Sequence, residues 1–231
     1  AFLATLSYGC VAVPILHEFM AHQVHDIVNH SGARLLFAGD QVWPDLDAEA
    51  MPQLEGVINI PDYSLLVSRT DRLTEAREHL NEFFGRKYPK YFRKEHVTYS
   101  HNPDPDALAL INYTSGTTSN SKGVLLPYRA LWSNYLFAVE VLGNNVKRGD
   151  SVISMLPLAH MYGMAFEFIY EFLHGCHVYY LTRIPSPKIV LQAFADVKPA
   201  IIIAVPLIIE KIIKKNVLPR LQTPSMKVLL K

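Results

Sequence analysis

The sequence predicts an α/β protein, with parallel sheets flanked by helices. Three observations carry this expectation. Short apolar runs alternate with amphipathic stretches through almost all of the 231 residues, and strand, helix, strand, helix implies parallel pairing through right-handed crossovers. Glycines fall just after the amphipathic stretches, at Gly9, Gly32, Gly143 and Gly175, where helices commonly stop. Hydrophobic residues make up 50% of the chain and charged residues only 19%, which excludes disorder and supplies a core that needs no disulfides or structural metal.

The elements follow in order. Phe2 to Tyr8 reads as the end of a helix capped by Gly9, and Val11 to Val13 as a strand. Val24, Ile27 and Val28 share one helical face, closed by Gly32. Leu35 to Ala38 and Val57 to Ile60 are strands. Leu73 to Phe92 reads as a long helix with Leu73, Ala76, Leu80, Phe83 and Phe84 on one side, which Gly85 and Pro89 must break or kink. The turn-rich HNPDPD, His101 to Asp106, is a linker. It sets an expected boundary between a first α/β subdomain, 1–106, and a second, 107–231, the first incomplete at its start and the second at its end. Beyond it, Leu108 to Tyr113, Val152 to Leu156, Cys176 to Leu181 and Ile201 to Val205 are strands, alternating with helices at Tyr128 to Leu142, Met161 to Leu173, Lys188 to Val197 and Leu207 to Val217. No internal repeat or low-complexity segment is present.

Composition narrows the partners. Lys plus Arg number 22 and Asp plus Glu 21, a net charge of +1. That balance argues against nucleic acid or an anionic membrane as the main partner. Cys10 and Cys176 are far apart in apolar contexts, and read as two free, buried thiols in a reducing, cytoplasmic setting. The longest apolar run, Ala200 to Ile209, holds Pro206 and is about half the ~20 residues of a membrane span. The apolar start lacks the basic leading region of a signal peptide. Ala1 falls in mid-pattern, and Val228 to Leu230 read as a buried strand with nothing after it, so the chain reads as a segment of a longer protein.

The chemistry concentrates in YTSGTTSNSKG, Tyr113 to Gly123. It follows a strand, where α/β folds place ligand loops. Thr114, Ser115, Gly116, Thr117 and Thr118 are all hydroxyl-bearing or glycine. Such a run offers hydroxyl and backbone donors to phosphate oxygens, and Gly116 permits close backbone approach. Lys122 supplies a mobile cation. Each hydrogen bond to a charged group contributes roughly 1.5–3 kcal/mol, so three or four suffice to place a triphosphate. A plain turn between two strands also uses Ser, Thr, Asn and Gly, but has no need of so many hydroxyls and a closing Lys-Gly. The pattern G-x-x-x-x-G-K-[ST] is not met, because no Gly precedes Lys122 and a Gly follows it.

YTSGTTSNSKG resembles the phosphate-binding signature of the adenylate-forming superfamily, which includes acyl-CoA synthetases, firefly-type luciferases and peptide-synthetase adenylation domains. The usual form is YTSGTTGxPKG; here Ser119 and Ser121 stand at the second Gly and the Pro. LPLAHMYG, Leu156 to Gly163, is similar to the family's second core motif, and VPLIIEKI, Val205 to Ile212, to a helix-opening segment downstream. GCVAVPI and HSGARLLF match more loosely before the linker.

The resemblance implies part of the large N-terminal domain of an adenylate-forming enzyme. It implies ATP, Mg²⁺ and coenzyme A, with the carboxylate of an acid attacking the α-phosphate and the acyl group then passing to coenzyme A. By the same resemblance Thr114, Ser115, Gly116, Thr117, Thr118 and Lys122 hold the β- and γ-phosphates, and His160 orients the carboxylate, with His160 and Lys122 as the catalytic pair. AHMYG and PLIIEKI look most like bacterial long-chain fatty-acyl-CoA synthetases, with an aryl, amino or medium-chain acid as the alternative. The adenine, ribose and Mg²⁺ motifs of the family, and its mobile C-terminal domain, would lie beyond Lys231, so this segment alone is expected not to turn over. Contact of the parent with a membrane, to collect its lipid, stays open. A reading of another class is a non-catalytic nucleotide-binding module that kept the loop.

Weaker constellations compete with plainer readings. His17, His22, His25 and His30 sit near Glu18 and Asp26, and Glu18, His22 and His25 can share one helical face, as metal ligands or as a solvated surface. His174, Cys176 and His177 flank Gly175, where a helix cap and a strand explain them. His101 to Asp106 spells H-x-x-x-x-D, used by some lipid acyltransferases, but two prolines stand inside it. No G-x-S-x-G elbow is present. Met161, Tyr162, Met164, Phe166 and Phe168 either wall an acyl pocket or fill the core.

Overall fold

Leu35–Ala38 (β1) and Gly56–Asn59 (β2) pair in parallel, Leu35 opposite Gly56. Residues of this kind at the middle of a sheet bury on both faces, and Val57 is fully buried. In a computed structural model, which describes residues 1–96, 104–114, 122–181 and 186–221 (leaving aside the side chains of Asn216, Val217 and Arg220), the chain forms two units, Ala1–Ala130 and Leu131–Lys231.

In the first unit, helix α1 (Phe2–Ser7) precedes α2 (Ala21–Ser31), whose Val24, Ile27 and Val28 are buried and whose end is closed by Gly32 at φ 68°. Val24 and Val28 pack with Ala38, Met51, Leu54 and Val57 in one core. Leu65–Ser68 (β3) adds an antiparallel strand beside β2. The turn between them is built on Asp62, whose carboxylate accepts from Ser64 N (2.9 Å), Ser64 Oγ (2.7 Å) and Asn59 Nδ2 (3.1 Å). Those bonds hold its pKa below the usual value.

The long helix expected over 73–92 is two helices, α3 (Asp71–Glu78) and α4 (Leu80–Lys87). They separate at His79, where φ is −101° and ψ 17°, and where the imidazole turns onto Glu82 (3.0 Å). Gly85 stays inside α4, and the helix ends two residues before Pro89, as a following proline favours. The strand expected at 11–13 is reduced to a single parallel bridge, Ala12 to Leu110. Pro14 has no N–H with which to extend it.

Leu108–Thr114 (β4) pairs antiparallel with Lys122–Pro127 (β5), which feeds α5 (Tyr128–Leu142). β3 and β5 thus join the sheets antiparallel, where the rhythm of the sequence predicts only parallel pairs. Neither strand alternates apolar and polar residues, and each is short.

In the second unit, Ser151–Ser154 (β6) and His177–Tyr180 (β7) pair in parallel. The connection between them is helical throughout: α6 (Met161–Gly163), a π-helical stretch Met164–Ile169, and α7 (Tyr170–His174), closed by Gly175. Helix α8 (Pro187–Val197) starts with Ser186 capping Ile189 N (3.4 Å) and Pro187 at the first turn. Residues 201–205, expected as a strand, pair into no ladder. Ala200 N reaches Ser151 O (2.9 Å), and Ile203 is buried. Pro206 then opens α9 (Pro206–Ile212), continued by a π-helical turn, Ile213–Val217, and by α10 (Leu218–Leu221). Met155, Val190 and Ile212 form this unit's core cluster. No helix among the described residues is long and apolar enough to cross a membrane. The strand expected at 228–230 lies outside the described residues.

Both cysteines are free, but Cys10 is exposed, a correction to the expectation of two buried thiols. It lies just beyond α1, after Gly9 at φ 82°. Cys176 is half-buried; burial and then the charges of Glu171 and Asp150 push its thiol up to about 11, which keeps it unreactive.

Candidate functional site

Tyr113, the residue before the hydroxyl run, is anchored from two sides. Its hydroxyl shares a 2.6 Å hydrogen bond with His30 Nδ1, and the two rings meet edge-on at 5.7 Å. His30 thus belongs to the packing of α2 against β4. Opposite Tyr113 in the ladder stands Gly123. A Cβ at 123 would lie 2.9 Å from Ile111 Cγ2 and 3.1 Å from Tyr113 Cζ. The glycine after Lys122 is required by that close approach.

One step further along, Thr114 and Lys122 face each other as the last pair of the β4–β5 ladder, and both are exposed. The pairing brings together the first and last of the sequence-predicted phosphate ligands. Ser115, Gly116, Thr117 and Thr118 lie outside the described residues.

His160 belongs to the second unit. It caps the N-terminus of α6 with an extended backbone (φ −86°, ψ 134°), and its Nδ1 accepts from Tyr162 N (3.3 Å). A neutral imidazole that accepts at Nδ1 carries its proton on Nε2, so the exposed ring has a donor to offer. Gly163 allows the cap to form: a Cβ there would come 2.6 Å from Pro157 O. His160 N in turn bonds Pro157 O (3.0 Å).

Glu167 belongs to none of the sequence motifs. Its side chain is fully buried, and Oε2 accepts from Ser154 Oγ (3.2 Å), Met155 N (2.9 Å) and Leu156 N (2.7 Å). One carboxylate oxygen therefore ties the exit of β6, the segment leading to His160, to the helix that follows it. Burial raises the Glu167 pKa against the pull of these three donors. Four residues on, Glu171 is 1% exposed, and burial, then the neighbouring Glu167, push its carboxyl up to about 8. Between them Tyr170, fully buried, is pushed up to about 12, mainly by burial. Glu167 Oε1, Tyr170 Oη and Glu171 Oε2 have no hydrogen-bond partner among the described residues. Two acidic residues inside an otherwise apolar run, MAFEFIYEF, were the available signal.

The weaker constellations resolve into structure. His25 Nε2 accepts from Asp47 N (3.0 Å). His174 Nε2 bonds Val146 O (3.0 Å) and its ring stacks on Tyr170. Asp106 pairs with Arg129 (2.8 Å), while His101 lies outside the described residues. Met164 is buried in the core, and Phe166 meets Phe137 and Tyr162. The described residues bring no three His, Cys, Asp or Glu side chains together as a metal set. A shallow depression on α8, lined by Pro187, Lys188, Leu191, Gln192 and Lys215, involves none of the candidate residues.

Comparison with known proteins places this geometry. The chain is 32% identical to sulfoacetate–CoA ligase of Cupriavidus necator, over 75% of the chain and 30% of that protein. It is 31% identical to human long-chain-fatty-acid–CoA ligase 1, over 74% of the chain and 24% of that protein. It thus spans a quarter to a third of the length of these relatives. Among solved structures, the N-terminal domain of FACL13 from Mycobacterium tuberculosis shares the fold with a TM-score of 0.67 and 20% identity, over 98% of the chain and 49% of that one. A long-chain-fatty-acid-CoA ligase from Archaeoglobus fulgidus does so with a TM-score of 0.70 and 18% identity, over 92% and 38%. A family model described as AMP-binding enzyme matches residues 1–230. On that match, the chain belongs to the AMP-binding enzyme family.

Proposed function

We propose that the chain is the phosphate-binding part of an acid–CoA ligase that activates a carboxylic acid with ATP. The observation that carries this reading is the pairing of Thr114 with Lys122, which places a cation beside the start of the hydroxyl run in a chain of this family. In the first step a carboxylate oxygen attacks the α-phosphorus of ATP, pyrophosphate leaves, and an acyl-adenylate forms. In the second the thiol of coenzyme A attacks the acyl carbon, loses its proton, and AMP leaves. The protein's work in both is positioning and charge neutralisation. Thr114 to Thr118 and Lys122 hold the β- and γ-phosphates, and Lys122 offsets the charge gathering on pyrophosphate. His160 donates from Nε2 to an oxygen of the carboxylate or of the α-phosphate.

Mg²⁺ is expected with ATP, but the described residues supply no carboxylate set for it, and no step here is assigned to it. The division of the chain at Asp106 and a cytoplasmic location belong to the same proposal. A long-chain fatty acid is the substrate we propose, on the strength of the human relative's name and of AHMYG and PLIIEKI. The sulfoacetate ligase keeps a small, anionic acid as the second reading.

The test is acid-dependent ATP–pyrophosphate exchange on the full-length protein across fatty, aryl and sulfonated acids. Exchange with long-chain acids supports the proposal. Exchange with sulfoacetate alone replaces the substrate, and absence of exchange with every acid leaves a nucleotide-binding module.

A further inference from the structure

We propose that His30, on helix α2, is a positioning residue for the nucleotide: through Tyr113 it holds the end of β4, and with it the Thr114–Lys122 pair, where phosphate is received. The inference rests on the ligase reading above and adds to it a residue far from the hydroxyl run. Helix α2 gives His30 a firm base. Val24 and Val28 sit in the core of the first unit, Asn29 Nδ2 donates to Ala50 O (2.8 Å), and Gly32 ends the helix. From that base the exposed imidazole meets a hydroxyl 83 residues further along the chain, and Nδ1 and Tyr113 Oη stand 2.6 Å apart.

The end of β4 is where such a tether matters. Earlier in the strand, Ala12 N donates to Ala109 O and Ile111 N donates to Ala12 O, both at 2.9 Å. That bridge stops at Ile111. Lys122 stands on β5, which buries none of its residues, so β5 takes its place from β4 rather than from a core of its own. Tyr113, only 5% exposed, pins the two strands together. Its ring lies across Gly123, where a Cβ would be 3.1 Å from Cζ, and its hydroxyl continues to His30. Helix, ring and glycine thus form one line of contacts that ends beside Lys122. With the hydroxyl released, the end of the hairpin samples other positions, and ATP binds only the aligned fraction. Loss of one ordinary hydrogen bond shifts such a population about threefold to tenfold, and the apparent affinity falls by up to that factor. At saturating ATP the bound nucleotide restores the alignment, so kcat is spared.

The test uses the full-length protein, with calorimetric binding of α,β-methylene-ATP and the ATP dependence of pyrophosphate exchange. His30→Ala and Tyr113→Phe should each weaken the analogue by about threefold to tenfold and raise KM for ATP in step, with kcat little changed. The double variant should lose no more than either single one, because both remove the same bond. His30→Asn, whose amide takes the place of Nδ1 and can donate or accept, should recover most of the affinity. Tyr113→Phe keeps the ring over Gly123, so it decides the matter even where His30→Ala folds poorly. A merely structural bond would lower the melting temperature and leave KM for ATP at the wild-type value, and that result overturns the proposal. Losses that add in the double variant overturn it equally. In either case the wild type still binds the analogue, and the ligase reading stands. A wild type that binds no analogue removes the phosphate-binding reading and this inference together.

Discussion

Gly123 and Gly163 each stand where another backbone or ring comes too close for a side chain. Gly123→Ala should therefore cost about 1–3 kcal/mol through overpacking against Ile111 and Tyr113, read as a lowered melting temperature. Gly163→Ala, which meets a rigid carbonyl, should cost at least as much. A melting temperature equal to wild type in either would contradict the packing described. Lys122 and His160 are exposed, so their loss should spare stability and strike the reaction. His160→Ala should lower pyrophosphate exchange on the order of a hundredfold, the usual cost of one donor to developing charge. Lys122→Ala should do the same with a raised KM for ATP. If both variants exchange at the wild-type rate, the roles proposed for them are wrong. Lys122 and the hydroxyl run are proposed as phosphate ligands from residue type alone, which requires no knowledge of the fold. The reason for Gly123 was not legible in the sequence, since it depends on which residue faces it across the ladder.

The helical connection between β6 and β7 carries two buried carboxyls, and they act differently. Glu167 accepts three donors through one oxygen. Glu167→Ala leaves two backbone amides and a hydroxyl unpaired, at about 1–3 kcal/mol for each group that water cannot reach. Glu167→Gln keeps an acceptor oxygen and should recover most of that loss in a denaturant titration. Equal stability of the two variants would mean that the three bonds contribute nothing. Glu171 sets a pH dependence. Unfolded, it ionises near the ordinary 4.5; folded, it keeps its proton up to about 8. Between those values the folded state holds the extra proton, so stability is full below the lower value and declines as pH rises through the window. Glu171→Gln should flatten that decline in a melting series, and an unchanged slope would refute the assignment. Neither carboxyl was legible as an element-level device, because an i, i+4 acidic pair on a helix normally faces water.

At the scale of the whole molecule, the two α/β units and their match to the AMP-binding family agree with the fold class read from the sequence. The chain spans only a quarter to a third of its curated relatives. The isolated 231 residues should therefore show pyrophosphate exchange at background while still folding, which circular dichroism and an exchange assay on the same sample would check. Exchange above background would overturn this. By itself the sequence determined the alternation of strands and helices, the helix ends at glycines and the hydroxyl-rich motif that carries the family resemblance. These are local: propensity, periodicity and residue type act over a few neighbours. Only the tertiary structure decided that β3 and β5 run antiparallel, that Thr114 and Lys122 face each other, and that Glu167 ties down the segment leading to His160. Those facts arise from pairing register and from burial between residues distant in sequence, where the cost of an unpaired buried polar group, not local preference, selects the arrangement.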